Sequence, residues 1–348
     1  MRLWGFPPIL FFLVSIPGSA ASNPDCDIPD SLDPYVAHQG LMKLRGNILQ
    51  PLFPESSKHA CEDSYVASCS PMPPVDSTGH SASLLEAGHN KVNYENQKKA
   101  LGGFAVEWAK LPPTTRPKKE DYLIDRFYKQ NDFDEKLDRV DRILKGLKGK
   151  AKAFSEEICT TADCRQAVDK ALENLKVVRD YKKRPGLLSE MRINASARGV
   201  EIGGLVLTTI TSEHALALIL SHELGHVLSS ALQQRSPKVL DCLYEKVVGN
   251  LPSTRKVDQE ELWADWAGGQ IFPRYIAGLS GRKELKREAI KSALRTNCGM
   301  DFSSKGHLSG PERNRILTAN PKIQDLLCFD YTKPRPETQY CPPHQEKK

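Results

Sequence analysis

Residues 212 to 233 carry apolar side chains at helical spacing, and this segment constrains the fold more than any other part of the 348-residue chain. Ser212 is the expected N-cap of the helix. Within it the stretch SHELGHVLSS, residues 221–230, places His222 and His226 four residues apart. Side chains at this spacing lie on the same side of a helix, so two imidazoles share one patch of an otherwise apolar surface. The fold must provide partners for both rings.

The His-Glu-x-x-His pattern has a specific chemical meaning on a helix. His222 and His226 can bind one zinc ion, and Glu223 can act as general base on a metal-bound water without becoming a ligand. In the alternative interpretation both histidines are ordinary surface or core groups. Leu224 and Val227 indicate a largely buried helix, where two imidazoles and a carboxylate are costly unless a metal organises them.

A catalytic zinc ion needs a third protein ligand, and the stretch DQEELWADWAGG offers one. Its helix is predicted over residues 257–272. Glu261 lies among large apolar residues and can bind the ion, while Asp265 can accept the second ring N–H of a ligand histidine. Glu260 is the next candidate ligand. Alternatively, the acidic residues only favour the first helical turn through the helix dipole.

These two motifs carry a family resemblance. GGLVLTTITSEHALALILSHELGHV followed by EELWAD resembles the gluzincin-type zinc metallopeptidases that include the CAAX prenyl endopeptidases, the HtpX-like proteases and their soluble periplasmic relatives. The resemblance spans about residues 192 to 316. It implies one zinc ion per chain, with the following roles: His222, His226 and Glu261 as ligands, Glu223 as base, and Asp265 as support.

The same family tends to carry a histidine and an arginine near the end of the catalytic domain. SSKGHLSGPERNRI is similar and makes His307 and Arg313 the counterparts, although Leu308 stands where the family usually has proline. By this resemblance His307 either stabilises a developing oxyanion or occupies the open coordination position. We favour the first role.

The N-terminal residues 1–21 have the layout of a cleavable secretory signal: one positive charge, an apolar stretch around Ile9 to Ile16, then small residues. No later stretch is expected to span a bilayer, so the mature protein is expected to be secreted or periplasmic. Nine cysteines follow, most of which should pair in an oxidising compartment. Cys159 and Cys164 could close a local loop. Alternatively, one cysteine of the leader remains unpaired and inhibits the protein by binding the open position of the zinc.

The rest of the chain predicts a mixed α+β, mainly helical, zincin-like domain over residues 93–330, with a short sheet before the zinc-binding helix. Residues 22–92 are predicted to be an irregular, partly ordered leader for which Cys61 and Cys69 are candidate anchors, and residues 331–348 a tail. Two short strands joined at Gly203-Gly204 are expected within residues 192–211, and a further helix over residues 283–296.

The net charge of +6 is mild and its lysines and arginines are interleaved with acids, so no nucleic-acid partner is expected. The favoured function is an exported zinc endopeptidase acting on peptides or unfolded proteins, with substrate added as a strand beside GGLVLTT. Two alternatives remain open: a zinc-stabilised chaperone or binding module, and hydrolysis of another amide such as one in a cell wall.

Overall fold

The computed structural model describes residues 60–69, 89–190, 192–196, 199–210, 212–248, 257–298, 306–332 and 340–343. These residues form a mainly helical protein with one two-stranded sheet. The predicted signal at residues 1–21 lies outside them, as does most of the leader and of the tail.

Twelve α-helices occur in the described ranges. They are α1 (Ser64–Cys69), α2 (His89–Lys110), α3 (Lys119–Asn131), α4 (Phe133–Glu156), α5 (Ala162–Glu173), α6 (Gly204–Thr209), α7 (Glu213–Leu232), α8 (Pro237–Lys246), α9 (Gln259–Ala277), α10 (Lys283–Leu294), α11 (Gly310–Thr318) and α12 (Pro321–Leu327).

The two strands form an antiparallel hairpin, β1 (Ile193–Ser196) and β2 (Gly199–Ile202). A short sheet before α7 and a strand at GVEI were predicted and are confirmed, but the second strand, predicted after Gly203-Gly204, is wrong. Gly203 and Gly204 do not join the strands; they follow the hairpin, and Gly204 begins α6. A Cβ on Gly204 would lie 2.4 Å from the backbone oxygen of Leu188, so the glycine pair serves close backbone packing rather than a strand turn.

Helix α7 is the central helix of the core. The Ser212 hydroxyl accepts a hydrogen bond from the Ala215 N–H, which confirms the expected N-cap. On its apolar sides α7 packs against α4, α9, α10 and β1. Residues such as Leu216, Leu220 and Leu224 are almost completely buried there.

By length and composition alone, the segment Glu213–Arg235 could cross a membrane. The expectation that no stretch after the signal would qualify is therefore wrong on that measure. Of its most apolar window, 61% is buried inside the protein, which is what a central core helix requires.

Four disulfide bonds join cysteines of the described residues: Cys61–Cys328, Cys69–Cys298, Cys159–Cys164 and Cys242–Cys341. The predicted local loop is confirmed. The bonds of Cys61 and Cys69 run to the C-terminal part of the chain, so residues 60–69 are fastened to the helical domain. We call residues 60–69 the clasp. Several disulfides indicate that the protein matures in an oxidising environment.

The clasp is helical and well packed, unlike the irregular leader that was predicted for residues 22–92. Helix α1 packs against α10 and α11. The Ser64 hydroxyl donates to that of Thr318 at 3.4 Å, and the Tyr331 hydroxyl donates to a Glu62 carboxylate at 2.9 Å. Helix α2 already begins at His89, four residues before the predicted start of the domain.

Candidate metal centre

His222 and His226 project from the same face of α7, one turn apart. Their Nε2 atoms lie 3.1 Å from each other, and their rings meet edge to face. This is the arrangement predicted from their four-residue spacing. Two imidazole nitrogens at this separation converge on one point in space.

Helix α9 brings a carboxylate to the same point. Oε2 of Glu261 lies 3.3 Å from Nε2 of His222 and 3.5 Å from Nε2 of His226. The ligand atoms of these three residues lie within 4.8 Å of one another, so the group could hold a metal ion; imidazole and carboxylate are among the ligands that zinc accepts. Glu260, the other candidate ligand, is exposed and not part of this group.

Two glycines allow α7 and α9 to approach closely enough for this convergence. A Cβ on Gly225 would lie 2.7 Å from the Cα of Ala264, and a Cβ on Gly268 would lie 2.9 Å from the backbone nitrogen of His222. Both distances are below normal contact, and the opposing atoms are backbone, which cannot rotate away. The backbones of the two helices are therefore in contact at the level of the ligand residues.

Asp265 orients one of the histidines. The His222 Nδ1–H donates to Oδ1 of Asp265 at 2.8 Å, which leaves Nε2 directed at the group of ligand atoms. Burial alone would lower the pKa of His222, but the Asp265 carboxylate raises it to about 9. Burial would likewise raise the pKa of Asp265, yet Arg313, with its Nε 3.1 Å from Oδ2, and His222 keep it below its ordinary value.

Glu223 lies beside His222 on α7 and is largely buried. Its Oε2 accepts a hydrogen bond from the Ala195 N–H of β1 at 2.8 Å. Burial raises the pKa of Glu223, and the neighbouring His222 and the Ala195 hydrogen bond oppose that rise. Burial alone would raise the pKa of Glu261. Its contacts with His222 and His226 outweigh that effect and hold the Glu261 pKa well below its usual range.

His307 and Arg313 join the site from the C-terminal side. Nδ1 of His307 lies 2.8 Å from Oε2 of Glu261, and a guanidinium N–H of Arg313 donates to the same Nδ1 at 2.8 Å. His307 lies outside the group of three whose ligand atoms are mutually within 4.8 Å. The structure therefore places His307 against one of the three residues that could hold a metal ion, and not among them.

Gly306, a glycine with positive φ, directly precedes His307 and positions its loop. Gly306 has φ 88°, its carbonyl accepts the Asp258 N–H at 2.8 Å, and a Cβ on it would lie 2.7 Å from that of Asp258. Asp258 caps the start of α9 through the Glu260 N–H. This contact ties the loop to the beginning of the helix that carries Glu261.

All seven residues predicted for the site lie together: His222, Glu223, His226, Glu261, Asp265, His307 and Arg313. Sequence reasoning missed Ala195, Gly225, Gly268 and Gly306. Gly225 and Gly268 leave a signal, because a glycine inside a strongly helical pattern usually has a packing reason. Ala195 leaves none, since it acts through its backbone.

Two further predictions are affected by the structure. The substrate strand was expected beside GGLVLTT, but residues 204–209 are helical, so the strand nearest the site is β1. The proposed inhibitory thiol cannot be Cys61 or Cys69 while both form disulfides, and Cys26 lies outside the described residues.

No protein-family model matches the chain, and neither a curated protein nor a solved structure matches it.

Proposed function

We propose that this protein is a zinc-dependent endopeptidase of the gluzincin type, as the resemblance of its two motifs implies. The observation that carries the proposal is the meeting of His222, His226 and Glu261, from two helices, beside a buried glutamate that is not a ligand. A zinc ion held by this group would polarise a substrate carbonyl and make bound water more acidic.

Glu223 is the proposed general base. Both His222 and His226 lower its pKa, so its carboxylate is near the proposed ligands, and we propose that it would face a metal-bound water there. Burial raises its pKa, which makes it a better proton acceptor than an exposed glutamate. The proton that it takes up can pass to the amine released when the peptide bond breaks.

His307 is proposed to stabilise the oxyanion. Its Nδ1 lies 2.8 Å from both a guanidinium nitrogen of Arg313 and Oε2 of Glu261, and these two contacts fix the orientation of the ring. In the proposed role Nε2, the ring nitrogen that neither contact uses, donates to the developing oxyanion. Arg313 also contacts Asp265, so one arginine orients both residues.

We further propose that the protein acts outside the cytosol, secreted or periplasmic. Four disulfides and the signal-like layout of residues 1–21 support this location. Accessible substrates there would be extended peptides or unfolded proteins.

The test combines metal analysis with a peptide-library cleavage assay. We expect about one zinc per chain in the purified protein, lost in Glu261→Gln and retained in the control Glu260→Gln. Glu223→Gln should keep the metal and lose cleavage. Wild-type protein that holds zinc, binds unfolded protein and never cuts a peptide would replace the proposal with a binding module.

A further inference from the structure

Strand β1 presents one edge to β2 and the other toward α7. Ala195 lies opposite Val200 in the hairpin register. The Val200 N–H donates to the Lys176 carbonyl at 2.8 Å, and its carbonyl accepts the Val178 N–H at 2.9 Å. Both groups of Val200 therefore point away from β1. Ala195 and Val200 form a non-hydrogen-bonded pair, and the N–H and C=O of Ala195 face the opposite edge.

That opposite edge is where Glu223 binds. Its carboxylate accepts the Ala195 N–H at 2.8 Å in a buried position. No strand of the described residues pairs with this edge of β1. In a regular ladder the same N–H would donate to a carbonyl of an added strand. Here the carboxylate oxygen of the proposed general base takes the place of that carbonyl.

We propose that Ala195 is a positioning residue that holds the general base and thereby determines which bond of an extended substrate is cut. The inference rests on the proposed peptidase function. A substrate residue opposite Ala195 can donate its N–H to the Ala195 carbonyl. The carbonyl of that substrate residue cannot accept the Ala195 N–H, which is already bonded to Glu223. It therefore remains without a hydrogen bond from β1.

The unpaired carbonyl is the one next to the general base and the group of ligand atoms. Ile193 presents its N–H to the same edge two residues earlier, so a substrate carbonyl opposite Ile193 can be hydrogen bonded and held in the ladder. The bond to Ala195 also fixes one oxygen of Glu223, which leaves the other for a water proton. One backbone N–H thus sets both the direction of the base and the register of the substrate.

The enzyme-side experiment removes this N–H and nothing else. Lactic acid introduced at position 195 replaces the amide by an ester and keeps the methyl group and the carbonyl. We expect kcat for a peptide substrate to fall about three- to tenfold with KM and metal content unchanged, as for the loss of one hydrogen bond. The control is the α-hydroxy analogue at Asn194, whose N–H faces β2 and whose replacement should leave kcat unchanged.

The substrate-side experiment uses the unmodified enzyme. A peptide is N-methylated either at the residue that supplies the scissile carbonyl or at the residue before it. We expect the first peptide to show a KM raised about three- to tenfold or more, because its bond to the Ala195 carbonyl is lost. The second should be cut normally, since that N–H faces away from β1.

The outcomes separate the two ideas. Equal effects of the two N-methyl groups, or an ester at 195 that leaves kcat intact, would overturn the role of Ala195 while peptide cleavage stands. A wild-type protein that cuts no peptide would remove the proposed function itself, and this inference with it.

Discussion

Arg313 and Asp265 form an ion pair beside the candidate metal centre, with Nε of the arginine 3.1 Å from Oδ2 of the aspartate. Both side chains are largely buried, with 15% and 7% of their surface exposed. Asp265 also accepts from His222, and Arg313 also donates to His307. The pair therefore connects a proposed ligand to the proposed oxyanion donor, and each half can be tested separately.

Asp265→Asn should weaken zinc binding about 10- to 100-fold, because the His222 ring loses the carboxylate that orients it. Competition with a chelator of known affinity measures this. Asp169→Asn is the control, since Asp169 belongs to an exposed pair with Lys152 and should change zinc binding little. Equal affinity in wild type and Asp265→Asn would contradict the orienting role.

Gly268→Ala should separate α7 from α9 and release the metal, because its Cβ would lie 2.9 Å from the His222 backbone nitrogen. Gly269→Ala is the matched control: its nearest neighbour would be at 3.6 Å, an ordinary contact. Zinc content and thermal unfolding are measured for both. The close approach of the helices is not needed for the site if the two variants retain zinc equally.

His307→Ala should keep about one zinc per chain while slowing cleavage about 100-fold or more, as expected for the loss of an oxyanion donor. His307→Gln should recover part of the rate, because its amide can still donate. Loss of zinc in His307→Ala would instead make His307 a ligand.

Replacing Cys69 and Cys298 together by serine should lower the free energy of unfolding by about 2–5 kcal/mol, measured by denaturant titration without reductant. With Cys61–Cys328 still closed, the loop that this disulfide adds runs through residues 61–69 and 298–328, far longer than a local turn, so it restricts the unfolded chain. The paired control removes Cys159–Cys164, which spans only 5 residues and should cost less. A larger loss in the control would show that chain restriction is not the main effect.

The ligand residues could be predicted from sequence because their geometry is local. Helical spacing alone brings His222 and His226 together, and the apolar setting of Glu261 made it the better candidate than Glu260. The meeting of α7 and α9 depends on backbone contacts at Gly225 and Gly268, which spacing does not reveal. Ala195 was beyond prediction, since its contribution is an N–H that every non-proline residue has.

The prediction of a strand after Gly203-Gly204 failed for a physical reason, whereas that of a strand at GVEI is confirmed. Residues 204–209 contain β-branched side chains, which favour strands, but the tight packing of Gly204 against Leu188 begins a helix there. Tertiary contact outweighed the local preference. The disulfide partners of Cys61 and Cys69 could not be predicted either, because pairing over such distances follows from the folded chain and not from spacing.

Cys61 and Cys69 bond to residues made more than two hundred positions later. During synthesis these two thiols emerge early, close to each other and without their final partners. Oxidation at that stage would join them wrongly, so correct maturation depends on a compartment that can reshuffle disulfides after the last helices have arrived. A host that oxidises thiols but lacks an isomerase should yield mispaired chains.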